Sequence, residues 1–349
     1  MELEDCRRKK ADQGSHECEV LNADSEAAES AYNWENCTKN PGHANFIPVH
    51  ELKLDYLPEW CRYQSVLKNV RTIAALTVRL RVFYTSYERP DGYSFSQHRG
   101  SDVLHTGSAW IGIIQHFTGT CQCPECANSS SPFKNYYIIH IHTACHVVYN
   151  TEEAKSTKVD VFYDDEAAMA ESRTKTLTGL SVICKEELRD ICIFGCATHD
   201  KTLVKYLRGE TRKIEHAYPY DRLWKVWFRR KWQRLCVVVS HPHGQPKQVT
   251  IGEARKLLLV LEENFTYTAE TCPGSSGAPV IVLVFREKGK YWNSGPRCDL
   301  TFLAPHSQWL AEADMQLNQS GCGSELASWD FPSKPLNKGL LMIHKKDTF

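Results

Sequence analysis

The sequence predicts an all-β fold, built as antiparallel barrels or a sandwich, for most of the chain, and two features support this prediction. Short segments with alternating or continuous apolar residues follow one another closely, and clusters of Gly, Pro, Asn and Ser separate many of them. Each of these segments has the length and composition of a strand: 77–83, 110–114, 136–141, 159–163, 180–183, 191–194, 236–239 and 279–285.

Other parts of the chain have different patterns. Residues 1–45 are polar with little periodicity, which predicts disorder. Residues 46–75 predict a helical extension, with Pro58 suited to a first helical turn, and residues 200–213 predict a helix that interrupts the strands. Residues 316–349 form a polar tail to which we assign no fold.

The composition excludes several classes of protein. The chain has 349 residues, of which 42% are hydrophobic and 24% are charged, and its formal net charge is zero. Neither a nucleic-acid partner nor a membrane partner is therefore predicted, and the longest apolar run, about 278–285, is too short for a membrane span. The charged start of the chain has no apolar signal core, so we expect an intracellular location. The 15 cysteines are then expected to be thiols or metal ligands.

Three segments carry residues that can perform chemistry together. His146 follows an apolar strand segment on a turn of small residues. Asp190 directly precedes an alternating strand, and Ser276 lies in a Gly-x-Ser-Gly turn that leads into a buried strand. Other acids are less clearly placed at a strand start: Asp160, Asp164, Asp165 and Asp200.

These residue types match the needs of a serine nucleophile. A serine hydroxyl needs a base within hydrogen-bond reach, and an imidazole can accept its proton when a carboxylate fixes the ring. A glycine two residues before the serine lets the N–H groups of Gly274 and Ser276 point at one oxyanion. Singly, each residue is more often structural than catalytic, and only the three together in this order favour catalysis.

The segments resemble those of trypsin-like (chymotrypsin-fold) serine peptidases, in the order His, Asp, Ser. The resemblance implies two antiparallel six-stranded Greek-key barrels over residues 76–315, with the site between them. It implies a serine endopeptidase acting on protein or peptide substrates, with His146, Asp190 and Ser276 as the triad. Ser275 stands where secreted trypsins have an activating aspartate, so the chain is more similar to intracellular and bacterial-type members.

Substrate selectivity has two competing interpretations. Thr271 and His306 resemble the pair that lines the specificity pocket of glutamyl endopeptidases. Glu270, six residues before Ser276, would instead favour a basic substrate residue. We favour the Thr271 and His306 pair as substrate-binding residues and keep Glu270 as the alternative.

A cysteine-rich segment predicts a metal site. Cys121, Cys123 and Cys126 have spacings that suit zinc, and Cys196 or His199 could complete the ligand set. Some viral chymotrypsin-like proteases have a similar structural zinc built from short Cys/His pairs. The alternative is a loop of reduced or disulfide-bonded cysteines. No cofactor is required for hydrolysis itself.

Two other functions remain open at this level. A catalytically inactive relative could serve as a peptide-binding or scaffolding module, and a cysteine-rich zinc protein could serve in protein interaction. The segment 223–234 interleaves aromatic and basic residues, which suits single-stranded nucleic acid, but we favour a strand or helix that covers a barrel with one basic face.

Overall fold

The structure is a computed structural model that describes residues 16–217, 234–257, 265–286, 297–312 and 315–320. The basic and aromatic segment 223–234 lies outside the described residues except for Arg234. Residues 1–15 and 321–349, parts of the two segments predicted to lack a fold, also lie outside them.

In the described part of the chain, fourteen strands form two sheets of seven strands each. The strands are β1 Glu19–Leu21, β2 Ile47–Pro48, β3 Thr77–Val82, β4 Leu104–Thr118, β5 Asn135–Thr143, β6 Thr157–Val161, β7 Lys175–Glu186, β8 Ile191–Thr198, β9 Arg234–Ser240, β10 Gln248–Leu257, β11 Phe265–Tyr267, β12 Pro279–Arg286, β13 Arg297–Glu312 and β14 Met315–Ser320. The predicted all-β fold is therefore confirmed.

The first barrel consists of β3 to β8. Its strands follow the order β4-β3-β6-β7-β8-β5, and β5 pairs again with β4, so six antiparallel strands close on themselves. Closure leaves no free edge in this ring. β1 is an addition to it, with Glu19–Leu21 paired antiparallel to residues 104–106 of β4.

Alternation along β3 explains how the first barrel is filled. Val78, Leu80 and Val82 are fully buried in the barrel core, as a period of two requires. Arg79 points to the other face, where it pairs with the buried Asp160 at 2.9 Å and donates to the main-chain oxygen of Gly244. The ion pair holds β3 and β6 together, and the second hydrogen bond links Arg79 to the turn between β9 and β10.

The second ring consists of β9 to β14. Its order is β11-β14-β13-β12-β9-β10, and β10 pairs with β11 to complete the ring. Cys236 and Val238 of β9 lie in its core, whereas Val237 and Val239 pack on the opposite face against the helix Gln64–Leu76. Burial on both faces explains why β9 is a continuous apolar run.

The helices are short or peripheral to the two sheets. The described α-helices are α1 Glu26–Glu35, α2 Gln64–Leu76, α3 Pro124–Ala127, α4 Thr151–Lys155, α5 Ala167–Ala170 and α6 Lys201–Ala217. α2 buries Val66, Val70 and Ile73 at helical spacing against β9 and β12. Asp200 caps α6 by accepting the main-chain N–H groups of residues 202 and 203. Among the described residues, no helix is both long and apolar enough to cross a bilayer.

Two predicted boundaries differ from the structure. Residues 16–45 are not disordered, because they include β1 and α1, and polar contacts to the second ring order them. The second ring also extends past residue 315, because β14 continues to Ser320 and pairs with β13. Both segments are polar, so the hydrophobic pattern gave no signal for them.

Candidate active site

His146 and Asp190 lie together at one end of the first barrel. His146 lies three residues after β5, and Asp190 directly precedes β8. The Nδ1–H of His146 donates to Asp190 Oδ2 at 2.7 Å, and the main-chain N–H of His146 donates to Oδ1 at 3.0 Å. One carboxylate oxygen thus holds the imidazole and the other holds the main chain of the same residue, which fixes the tautomer and the orientation of the ring.

Ser307 adds a third hydrogen bond to this carboxylate. It lies in β13 of the second ring, and its hydroxyl donates to Asp190 Oδ2 at 2.6 Å. The carboxylate is therefore held by both sheets. Burial alone would raise the pKa of Asp190, but the charge of His146 and these hydrogen bonds lower it well below its usual value. Ser307 could not be predicted from the sequence, since a serine within a strand carries no motif.

The turn that carries Ser276 depends on two glycines. Gly274 has φ +90° and Gly277 has φ +81°. A Cβ on Gly274 would lie 2.7 Å from the main-chain oxygen of His241, and one on Gly277 would lie 2.4 Å from that of Ser108. The left-handed backbone and the close packing therefore both require glycine at these positions.

The turn presents two donors to a single carbonyl of the same chain. The Gly274 N–H donates to the main-chain oxygen of Glu17 at 3.1 Å, and the Ser276 hydroxyl donates to the same oxygen at 2.7 Å. Of the two N–H groups predicted to bind an oxyanion, that of Gly274 makes this contact. His146 Nε2 is buried and has no hydrogen-bond partner within the described ranges.

The Glu17 side chain fills a polar pocket in the second ring. His306 Nε2 donates to its carboxylate at 2.8 Å, and Thr271 and Lys39 also donate to it. Tyr267 donates to Nδ1 of His306 at 2.5 Å, which leaves the proton of a neutral imidazole on Nε2. The structure thus brings together the predicted pair Thr271 and His306, and it adds Lys39 and Tyr267, which were not predicted from the sequence.

Glu270 is not part of this pocket. Its carboxylate accepts a hydrogen bond from Asn45 Nδ2 at 2.7 Å, in an exposed position. The described side-chain hydrogen bond of this acid is therefore with Asn45, and no acid is among the described groups that contact the Glu17 carboxylate.

The ionisation of the buried groups follows from their partners. Burial alone would raise the pKa of Glu17, but the hydrogen bond from His306 and the charge of Lys39 lower it to about 2. Burial lowers the pKa of His306, and it lowers that of His146 to about 4 despite the opposing charge of Asp190. Near neutral pH, Glu17 is therefore a carboxylate and His146 is a neutral imidazole that can accept a proton.

Residues 16–21, named here the cleft segment, continue on both sides of Glu17. The ring of His16 stacks on the ring of His146, with centroids 4.0 Å apart, and its Nδ1 donates to the main-chain oxygen of Ser307. On the other side, Cys18 Sγ lies 3.9 Å from Ser276 Oγ, and Glu19 accepts a hydrogen bond from His243 at 2.6 Å. The chain's own N-terminal region therefore occupies the predicted site.

The predicted metal ligands lie apart from this site. Three sulfurs surround His199 Nδ1, with Cys123 at 3.5 Å, Cys126 at 3.7 Å and Cys121 at 4.0 Å. These separations are close to the roughly 3.5–3.8 Å between ligands of a tetrahedral zinc. Cys196, the other residue considered, lies in the first-barrel core, because its side chain points inward from β8.

Comparison with known proteins gives only distant similarity. No family model and no curated protein matches the sequence. Two crystal structures of Rv3671c from Mycobacterium tuberculosis, both of an inactive form, have a TM-score of 0.37 and 12% identity to this chain. The first, of a serine-to-alanine mutant, matches 74% of this chain and 86% of that one; the second, described as a protease, matches 76% and 93%. Similarity this low carries no argument about function.

Proposed function

We propose that this chain is a serine endopeptidase that hydrolyses protein or peptide substrates through an acyl-enzyme on Ser276. One observation carries the proposal: the Gly274 N–H and the Ser276 hydroxyl converge on one main-chain carbonyl oxygen, that of Glu17. The ring of His146, held by Asp190, stacks on the residue just before that carbonyl. A nucleophile, an oxyanion donor and an oriented base thus surround one peptide group.

The base is prepared for its role. Asp190 accepts the Nδ1–H of His146, so the unprotonated nitrogen of the neutral ring is Nε2. In the proposed reaction, the Ser276 hydroxyl turns from the Glu17 oxygen to this nitrogen and gives up its proton as it attacks the carbonyl carbon. His146 then returns the proton to the departing amine, and Asp190 stabilises the imidazolium that forms between the two steps.

The turn supplies the electrostatic part of catalysis. Negative charge develops on the carbonyl oxygen during attack, and the Gly274 N–H already points at that oxygen. One such donor typically contributes about 10²–10³ in rate, because it is fixed in place before the charge appears. The left-handed backbone of Gly274 maintains this direction.

The alternative is an inactive module that binds its own N-terminal region. It is favoured by one observation: Ser276 donates to Glu17 and not to His146 in this arrangement. An activated serine reacts with a fluorophosphonate probe, whereas an unactivated serine does not. Labelling of Ser276 therefore separates the two functions.

The labelling is measured in the wild-type chain and in Glu17→Ala, which removes the side chain that anchors the cleft segment. We expect Ser276 to be labelled in Glu17→Ala, with Ser276→Ala unlabelled and the exposed Ser129→Ala unaffected. If Glu17→Ala and the variant His16→Ala/Glu17→Ala/Glu19→Ala, which also removes the two neighbouring side-chain contacts of the cleft segment, both fold and stay unlabelled, the chain is not a serine peptidase, and the binding-module function takes its place.

A structural zinc in the cluster of Cys121, Cys123, Cys126 and His199 is a separate proposal. It is supported by the ligand spacing and by Glu125, whose carboxylate lies 3.5 Å from His199 Nε2, as an outer partner of a metal-bound histidine would. Metal analysis of the purified chain tests it. Cys123→Ser should lose about one zinc per chain, while Cys184→Ser, outside the cluster, should keep it.

A further inference from the structure

The cleft segment has the arrangement of a substrate and not of a chance contact. The residue whose carbonyl meets Gly274 and Ser276 is Glu17, so the peptide bond presented to the nucleophile is that between Glu17 and Cys18. Three separate contacts fix the segment on both sides of this bond. His16 stacks on His146, Glu19 pairs with His243, and β1 extends the first sheet alongside β4.

The pocket that holds the Glu17 side chain selects among substrate side chains by their charge. The Glu17 side chain is only about 7% exposed, and three donors converge on its carboxylate, from Thr271, His306 and Lys39. An apolar side chain would leave these buried donors unpaired, which typically costs about 1–3 kcal/mol for each group. A basic side chain would face the ammonium of Lys39. The pocket therefore suits an acidic residue.

We infer that the chain cleaves its own Glu17–Cys18 bond, and that the same pocket makes glutamate the preferred residue before the scissile bond of other substrates. This inference rests on the proposed function. Ser276 Oγ bonds to the Glu17 carbonyl carbon and its proton passes to His146 Nε2. The Glu17–Cys18 C–N bond breaks, and His146 returns the proton to the Cys18 nitrogen. Water then hydrolyses the ester, so residues 1–17 end in a carboxylate and the Ser276 hydroxyl is restored.

Intact mass and N-terminal sequencing of the full-length chain over time test the inference. We expect a new N-terminus at Cys18 in the wild type and an intact chain in Ser276→Ala. Glu17→Lys should slow the cleavage by at least about tenfold, because it places two cations in one buried pocket. Glu35→Gln, an exposed glutamate of the same region, is the matched control and should be cut at the wild-type rate.

Two further measurements distinguish cleavage within one chain from cleavage by a second copy, and failure of self-cleavage from failure of the peptidase function. Mixing labelled Ser276→Ala chain with wild type shows whether one copy cleaves another; cleavage there would assign the cut to a second copy and overturn cleavage within the chain. If the fluorophosphonate labels Ser276 but the Glu17–Cys18 bond stays intact, self-cleavage is wrong and the proposed peptidase function stands. If neither labelling nor cleavage occurs, the proposed function itself fails.

A second cluster of sulfur and nitrogen atoms, independent of the cleavage, lies behind the nucleophile turn. Cys37, His43, His243 and Cys272 each place one ligand atom within 4.8 Å of the others, and all four residues are buried. Cys37 Sγ lies 3.6 Å from Cys272 Sγ, and His43 Nε2 lies 3.4 Å from the same sulfur. These are the separations expected between ligands of a tetrahedral ion with two thiolates and two imidazoles.

The histidines of this cluster are oriented as metal ligands are. Nδ1 of His243 donates to Glu19, while its Nε2 is buried without a hydrogen-bond partner within the described residues. A carboxylate behind a histidine fixes the ring and makes its other nitrogen a better ligand. His43 is held by stacking on Trp34, with ring centroids 3.6 Å apart.

The geometry points to a zinc site at Cys37, His43, His243 and Cys272. Such an ion would tie the α1 region to the turn that carries the nucleophile, since Cys272 lies four residues before Ser276. Cobalt substitution gives a readout besides activity, because thiolate-to-cobalt absorption appears only when cysteines bind the metal. The full-length chain should bind about two ions, one at each Cys/His cluster.

Cys37→Ser and Cys121→Ser should each lose about one ion, and Cys184→Ser should lose none. Cys37→His, which replaces the sulfur ligand with a nitrogen ligand, controls for a variant that merely unfolds and should still bind metal. Equal metal content in wild type and Cys37→Ser would overturn the second site. A disulfide between Cys37 and Cys272, found by mass spectrometry without reductant, would overturn it as well.

Discussion

The two halves of the candidate site differ in how far they are assembled. In the first barrel, His146 and Asp190 already have the hydrogen bonds that a base and its orienting acid need. In the second ring, the nucleophile turn is engaged with a carbonyl of residue 17, and the hydroxyl of Ser276 points to that oxygen. The hydrogen bond that would join the halves, from Ser276 to His146, is not among those of the described residues. The fold therefore positions the base, His146, whereas the cleft segment determines where the hydroxyl of Ser276 points.

The largest expected effect is on the labelling rate of Ser276, and it comes from a change in the preassembled pair of His146 and Asp190. Asp190→Asn keeps the size of the side chain but can donate to His146 Nδ1, which would place the ring proton on Nε2. We expect the rate of fluorophosphonate labelling in the Glu17→Ala background to fall about 10⁴-fold. Asp165→Asn, a half-buried aspartate that pairs with Arg173, is the matched control and should not change the rate. A loss below tenfold would mean that another residue orients the base.

A smaller expected effect is on the free energy of unfolding. It depends on pH and arises from Glu17, which occupies the pocket in the second ring. The pKa of Glu17 is about 2 in the folded chain and about 4.5 without its partners. The unfolded chain thus binds more protons between these values, so the stabilisation by Glu17 is complete above pH 4.5 and is lost as the pH falls toward 2. The full difference corresponds to about 3 kcal/mol.

Unfolding of Ser276→Ala and of Ser276→Ala/Glu17→Gln, measured from pH 7 to pH 3, tests this expectation. Both chains keep the buried histidines, so the difference between the two curves isolates Glu17. It should shrink as the pH drops below 4.5. A difference that stays constant over this range would show that the carboxylate is not held by charge in the pocket.

The next effect is on selectivity. His306→Phe keeps an aromatic ring but cannot donate to a carboxylate, and a hydrogen bond to a charged group typically contributes about 1.5–3 kcal/mol. We expect kcat/KM for a peptide with glutamate before the scissile bond to fall about 10–100-fold, with little change for the same peptide with alanine. His116→Phe, on the exposed part of β4, should change neither value. Equal losses on both peptides would place His306 in the chemistry and not in selectivity.

The smallest expected effect is also on the labelling rate, and it comes from the hydrogen bond between Ser307 of the second ring and Asp190 of the first barrel. Ser307→Ala removes one of the hydrogen bonds to Asp190, and we expect about a fivefold slower labelling of Ser276, equivalent to about 1 kcal/mol. Ser307→Thr, which keeps the hydroxyl, should restore the rate. Failure of the threonine variant to restore it would mean that the size of the side chain matters more than its hydrogen bond.

The fold was largely predictable because its strands are apolar. β3, β9 and β12 were recognised from alternation or from continuous apolar runs, and the helix at residue 200 from its helical period. Among the strands that were not predicted, β1 and β14 are ordered by pairing with β4 and β13 and not by their own hydrophobicity. Composition predicts whether a segment can bury apolar surface, but not whether distant charges will bind it.

The residues of the candidate site likewise divide into those that a local sequence pattern predicts and those that only distant contacts bring together. His146, Asp190 and Ser276 were found because each stands at a turn or strand end with a recognisable neighbourhood. Lys39, Tyr267 and Ser307 were missed because they act only through contacts between distant parts of the chain. Glu17 could not have been found from its surroundings in the sequence, since two of its three partners, Thr271 and His306, lie more than 250 residues away.

The pairing of β1 with β4 has a kinetic consequence for self-cleavage. Residues 19–21 remain paired with β4 after the cut. The new α-amino group of Cys18 therefore stays beside the Glu17–Ser276 ester and does not diffuse away. A tethered amine has a high effective concentration and competes with water for the acyl group. Resealing of the peptide bond would therefore be frequent, and the yield of free residues 1–17 would depend on how quickly the amine end withdraws.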